Sequence, residues 1–272
     1  MMFFPDTEFV LACLLLGTVV GFFAGMLGIG GGALLVPMLV SLFERLHVTP
    51  DHILHLALGT SMATIVVSAV ISLRTHHAHG AVDWPTMRMM TLGVLIGALL
   101  GTFIAREVST PLLSLIFAVF IGYVALTMLI GFKPKPTRQL PGPGGLIAAG
   151  GGIGVVSALV AIGGGALTVP FLTWCNRDIR QAIGTSAALG LPIALGGTAG
   201  YIFNGWGVAG MPPQVLGYVH LPALVAIAAA SLFTTSLGAR AAHRLPVPLI
   251  KRLFSLLLIA LAAHMLWKLW NA

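Results

Sequence analysis

The chain has 272 residues, 58% of them hydrophobic and only 8% charged, with a formal net charge of +7. A soluble domain carries about a quarter charged residues and could not hide so much apolar surface, which excludes a water-soluble enzyme or binding module and indicates a chain bathed in lipid. The basic residues are scattered through short loops, so their excess reads as orientation in a membrane and not as a nucleic-acid surface.

A helix that spans a bilayer needs about 20 apolar residues. Residues 1–10, MMFFPDTEFV, carry no basic stretch, so the first apolar segment is expected to stay in the protein. Five elements are predicted in the first half, at about 9–27, 29–43, 53–73, 86–105 and 109–131. A polar, proline-rich stretch, Lys133 to Gly144, cannot span a membrane and serves as a linker. Five more elements follow at about 145–160, 162–174, 181–203, 216–239 and 248–269. Cys13 and Cys175 lie in apolar surroundings without metal-ligand spacing and read as small hydrophobes.

The second set repeats the first. Residues 28–39, GIGGGALLVPML, match residues 161–172, AIGGGALTVPFL, at nine of twelve positions. Ala57-Leu-Gly-Thr-Ser61 matches Ala182-Ile-Gly-Thr-Ser186, and Pro85, Gly101 and Phe117 match Pro222, Gly238 and Phe254, in the same order. Repetition on this scale makes the chain an all-α, polytopic membrane protein of two homologous repeats, 1–132 and 145–272, joined by the linker 133–144.

The first two elements of each half are separated only by a glycine run. Residues 162–174 reach only about 20 Å as a helix, too short for a hydrocarbon core about 30 Å thick. The pair either forms one broken helix or folds back at the glycines. If it runs through, the fourteen basic residues divide six against eight. If it folds back, Arg45, Arg106 and Lys268 face one side and the other eleven face the opposite side. The positive-inside rule favours the second division, with the linker cytoplasmic, both termini outside and the halves inverted. About eight full spans and up to ten helical elements are expected.

The residues able to carry chemistry cluster at the duplicated motifs. Glycine permits sharp turns and close approach to a ligand. Gly30, Gly31 and Gly32 precede a helix starting near Ala33, and Gly163, Gly164 and Gly165 precede one near Ala166. A helix start there aims free N–H groups and a positive dipole end at the turn, which suits an anion. Helix packing is the plainer role for such glycines, but two runs at matching positions favour substrate-site backbone. Thr60, Ser61, Thr185 and Ser186 offer hydroxyls to the same oxyanion, against the alternative of bonding back to their own helix. No charge sits near the middle of any span, so helix ends, amides and hydroxyls must do the holding. Arg74 is the best cation for attracting substrate, though a snorkelling anchor is the plainer reading. His55 and Asp83 are weak candidates for coupling to a proton. No metal or cofactor is assigned, and nothing resembles a catalytic triad or a nucleotide loop.

At the two GGGAL…VP and two GTS segments the sequence resembles the TauE/SafE sulfite exporter family (TSUP), over nearly the whole chain. The resemblance implies a bacterial inner-membrane permease for sulfite, sulfoacetate or related organosulfur anions, with proton-linked export and about eight spans in a four-plus-four duplication. The first expectation is therefore a secondary transporter exporting a small anion, with the lipid bilayer as a partner and a homo-oligomer of the chain as a further one to test. A divalent-metal permease using His76, His77 and His79 is the alternative, although the second half lacks those histidines. A non-transporting membrane subunit is the third reading.

Overall fold

The computed structural model describes residues 7–27, 31–46, 48–131, 135–242 and 247–271. Continuous apolar runs satisfy their own backbone hydrogen bonds as helices, which is what a lipid environment demands. Among the described residues ten helices result: α1 (Thr7–Leu27), α2 (Gly32–Glu44), α3 (Pro50–Ala78), α4 (Trp84–Glu107), α5 (Thr110–Ile130), α6 (Pro143–Leu159), α7 (Gly165–Trp174), α8 (Ile179–Asn204), α9 (Leu221–Ala242) and α10 (Val247–Trp270). Among the described residues, six helices are long and apolar enough to cross a membrane: α1, α3, α4, α5, α8 and α10. The helices α2 and α7 are the short arms that the glycine runs foreshadow. Wide apolar faces, such as Leu92, Ile96 and Phe103 on α4, stand exposed as lipid-facing surface.

Two element boundaries depart from expectation. The helix expected to end at 73 continues to Ala78, carrying Arg74, His76 and His77 beyond the apolar run. The helix expected from 216 begins at Leu221. Val215–Leu216 and Val219–His220 instead pair as a two-stranded antiparallel hairpin, β1 and β2. Gln214 and Gly217 have positive φ there, which no helix accommodates.

Contacts at the helix ends decide the path of the short arms. The ring of Phe9, at the start of α1, stacks on Phe43 near the end of α2, with centroids 6.5 Å apart. Just ahead of α6, the N–H groups of Thr137 and Arg138 donate to the carbonyl of Trp174 at the end of α7. The Trp174 indole donates to the Thr137 hydroxyl at 2.9 Å, and Arg138 lies over its ring. Each short arm therefore returns to the end of the bundle from which its preceding helix set out. Lys268 near the end of α10 bonds Glu44 at the end of α2, so both chain ends share one end of the bundle. The linker lies at the other.

The halves do not pack as separate units. The main partner of α1 is α9, and the main partner of α4 is α6. Helices α3 and α8 pack on one another, as do α5 and α10. The α4–α6 contact is backbone on backbone. A Cβ at Gly93 or Gly97 would fall on the carbonyls of Ile147 or Gly151, and one at Gly154 on that of Val94. Small residues permit this approach, and in lipid close packing is the main force holding helices together.

Candidate functional site

The glycine turns meet inside the bundle. Gly31, the residue before α2, has φ +67°, a conformation that glycine adopts without strain. Gly32 lies against the carbonyl of Ala161 in the second turn and close to Ile65 of α3. Gly30 lies outside the described residues. In the second turn Gly163 and Gly164 are buried, while Gly165 and Ala166, the first residues of α7, are half-buried. Ala33, in the first turn of α2, is buried. The first N–H groups of each short arm have no place in its own hydrogen-bond ladder.

The GTS segments take part in a crossed exchange between the halves. Gly59 of α3 lets the carbonyl of Tyr218 approach, and Gly184 of α8 lets in that of Ala81. Beside them, the Thr60 hydroxyl accepts the N–H of His220 at 3.0 Å, and the Thr185 hydroxyl accepts that of Asp83 at 2.9 Å. His220 and Asp83 each cap the next helix. His220 Nδ1 accepts from the N–H of Ala223, and Asp83 accepts from the N–H and hydroxyl of Thr86. Burial pushes the His220 imidazole down to about 4. It stays neutral at physiological pH and keeps the lone pair that accepts at Nδ1. Thr60 and Thr185 thus serve as acceptors that dock one half's capping loop onto the other half's helix. This accepting role was not among those considered from the sequence.

Their neighbours differ. Ser61 and Ser186 are fully buried, at 0% and 1% exposure, and neither hydroxyl has a hydrogen-bond partner. Thr168 of α7, 0% exposed, is unpartnered as well. A buried polar group left unpaired costs about 1–3 kcal/mol, so three of them at duplicated motifs mark a place where something else supplies the bond. A Cβ on Gly164 would sit 3.1 Å from Thr168 Oγ1 and 3.3 Å from the Ser186 carbonyl, which brings that turn, the Thr168 hydroxyl and the Ser186 backbone together. Thr168 was missed in the sequence. Its signal was there, since the matching position in the first half is Leu35.

Helices α3 and α8 run antiparallel, with Gly59 beside Tyr201 and Met62 beside Gly197. That register puts Ser61 toward the end of the bundle that holds the chain termini and Ser186 toward the linker end. At 1.5 Å per residue they are about 18 Å apart along the axis. The hydroxyls form two stations, one on each side of the level where the glycine turns meet.

The remaining candidates lie apart from these stations. Arg74 is exposed on the last part of α3. His55 is buried with Nε2 on the carbonyl of Ala105 at 2.8 Å and Nδ1 unpartnered. The Asp83 carboxylate is engaged, by Thr86 and by Arg177 at 3.4 Å. Arg177 was not singled out in the sequence, yet it occupies the position of Glu44 in the repeat. His76, His77 and His79 do not converge. His79 Nδ1 contacts the Thr75 carbonyl, His77 packs edge-on against Trp84, and among the described residues no three His, Cys, Asp or Glu are grouped to hold a metal. Replacing Asp83 with alanine removes the cap of α4 and is expected to cost about 1 kcal/mol. The half-exposed Arg177 pair adds little to that. An unchanged melting temperature in detergent would show the cap to be idle.

The sequence matches the model of the family described as sulfite exporter TauE/SafE over residues 13–265. The chain belongs to that family. A probable membrane transporter protein of Haemophilus influenzae is 40% identical to it over 265 residues, which cover 96% of this chain and 99% of the relative. One from Xylella fastidiosa is 30% identical, covering 93% and 94%, and one from Methanocaldococcus jannaschii is 24% identical, covering 96% and 98%. No solved structure matches. Family and relatives are those of a multi-pass membrane transporter and not of an enzyme.

Proposed function

We propose that the chain is a secondary transporter that exports a small sulfur-containing or organic oxyanion, such as sulfite or sulfoacetate, across the bacterial inner membrane with proton linkage. The observation that carries this reading is the pair of buried, unpartnered hydroxyls at Ser61 and Ser186, flanking two glycine turns that meet within the bundle. An oxyanion supplies what these groups lack. Hydroxyls donate to it, and the starts of α2 and α7 present N–H groups and the positive end of a helix dipole. The anion enters beside Ser186 and Thr168, passes the glycine turns and leaves beside Ser61.

The packing bears on how access alternates. One repeat rocking against the other would tear the backbone contacts of α1 with α9 and α4 with α6. These pairs combine helices of both repeats and move as units, with the short arms α2 and α7 packed on α3 and α8.

Orientation follows from charge. Arg45, Arg106 and Lys268 lie at the end that holds the chain termini, and Arg74, Arg88, Lys135, Arg138, Arg177, Arg180 and Arg252 lie toward the linker end, which the positive-inside rule makes cytoplasmic. In a Cys13→Ser, Cys175→Ser background, a cysteine at Thr137 is expected to resist an impermeant thiol reagent added to whole spheroplasts, and one at Val208 to react. The opposite pattern would invert the orientation. The function itself is tested by flux in liposomes with sulfite, sulfate, thiosulfate, sulfoacetate and lactate, with and without a pH gradient. Gradient-driven movement of at least one anion is expected. Absence of flux for all of them would leave the non-transporting reading in place.

A further inference from the structure

We infer that the transported species is a singly charged oxyanion, that doubly charged anions are rejected, and that the coupling proton travels on the substrate and not on a side chain. This inference rests on the hydroxyl stations proposed above and adds a charge rule to them, which keeps sulfite and removes sulfoacetate, a dianion at neutral pH, from the candidate substrates.

The argument begins with what surrounds the stations. Residues 31–42, 57–68, 161–173 and 182–198, which include both glycine turns, both GTS segments and Thr168, contain no Asp, Glu, Lys, Arg or His. The buried hydroxyls without a partner in these stretches are those of Ser61, Thr168, Ser186 and Thr198. Hydroxyls and helix starts offer fractional positive charge, enough to offset part of one negative charge. The cost of moving an ion out of water rises with the square of its charge, so a dianion costs about four times as much as a monoanion in the same surroundings. Arg, Lys or a metal supplies the full positive charge that offsets a dianion in many sites. These stations have no such group.

The ionisable groups nearest to the stations are otherwise engaged. On the Ser61 side, His220 accepts at Nδ1 from Ala223 and its backbone N–H goes to Thr60, while Tyr201 donates to the carbonyl of Ala158. Tyr218 packs on His55, whose Nε2 sits on the Ala105 carbonyl. On the Ser186 side, Asp83 is held by Thr86 and Arg177, and Arg180 stands exposed at the start of α8. Glu44, at the far end of α2, is paired with Lys268. His55 alone among these has a buried nitrogen without a partner, and it is the protein group that the experiment must separate from the substrate's proton.

A weak dibasic acid then crosses as its half-protonated form, HA⁻. On the far side HA⁻ dissociates to A²⁻ and H⁺, so each turnover carries one proton with each dianion equivalent, and no protein group changes its protonation state.

The test is flux through wild-type protein in liposomes, measured between about pH 6 and pH 8.5, for three anions of different titration behaviour. Methanesulfonate is a monoanion throughout, sulfate a dianion throughout, and sulfite passes from hydrogen sulfite to the dianion within the range. Methanesulfonate flux is expected to stay within about twofold. Sulfite flux is expected to fall about tenfold per pH unit once the dianion dominates, and sulfate to move at least about a hundredfold more slowly than methanesulfonate. Sulfate flux comparable to methanesulfonate, or sulfite flux that is level with pH, overturns the charge rule. A parallel fall of methanesulfonate and sulfite overturns it too, because a protein group such as His55 would then be titrating. The Ser61→Ala, Ser186→Ala double variant separates this from the site reading. If the variant keeps wild-type flux, the stations are wrong and the charge rule falls with them. If it loses flux while wild type still carries sulfate, the stations stand and the charge rule alone is wrong. No flux of any of the three removes both.

Discussion

Replacing Gly97 with leucine is expected to abolish recovery of folded protein. At this position α4 crosses α6 so closely that an added Cβ falls on the backbone of Gly151, and Gly93 and Gly101 make similar approaches one turn away on either side. Overpacking against a flexible side chain costs about 1–3 kcal/mol. Here the obstacle is backbone, which cannot rotate aside, and the penalty exceeds that range. It also falls on a contact that joins the two halves of the chain. Gly122→Leu on α5 is the matched control, since a Cβ there meets nothing within 4 Å. The measurement is size-exclusion profile and melting temperature in mild detergent. A monodisperse Gly97→Leu protein that melts with wild type would mean that α4 and α6 do not meet in this way. The same reasoning disqualifies Gly32→Leu as a probe of substrate contact, because Ala161 already occupies the space and loss of transport would report packing.

The second large effect is on transport. Ser61→Ala and Ser186→Ala remove hydroxyls that bond nothing in the protein, so melting temperature should hold or rise slightly. A hydrogen bond to a charged group is worth about 1.5–3 kcal/mol, and each substitution is expected to lower flux at subsaturating anion by roughly 10- to 100-fold. The adjacent threonines should behave in the opposite way. Thr60→Val strands the buried N–H of His220, and Thr185→Val strands the half-buried N–H of Asp83. Each should cost about 1–3 kcal/mol of stability. If the serine variants transport like wild type, or if they destabilise the protein as the threonine variants do, the assignment of the hydroxyls to an anion is lost.

Much of this was legible in the chain before any coordinates. Lipid forces backbone groups to bond locally, so spans appear as unbroken apolar runs, and ten helices stand within a few residues of their expected positions. The GTS segments were recognisable as a duplicated feature, but the division of labour within them was not. Thr60 and Ser61 are adjacent and chemically alike. Only the arrival of His220, 160 residues away in sequence, commits one and leaves the other unpartnered. The hairpin at 215–220 was missed because its residues are as apolar as a helix start. Gly217 after Pro212-Pro213 was the local warning.

The amino-acid sequence by itself determined the membrane setting, the recurrence of the GGGAL…VP and GTS motifs, the position of the glycine turns and the absence of charge around them, because each of these is a property of contiguous residues in a medium that tolerates few alternatives. The tertiary structure alone decided that α1 pairs with α9 and α4 with α6, that the short arms turn back, and that Thr168 joins Ser186 beside Gly164. Those outcomes depend on which small-residue faces lie flush across the halves, a matter of shape between distant segments that no local pattern encodes.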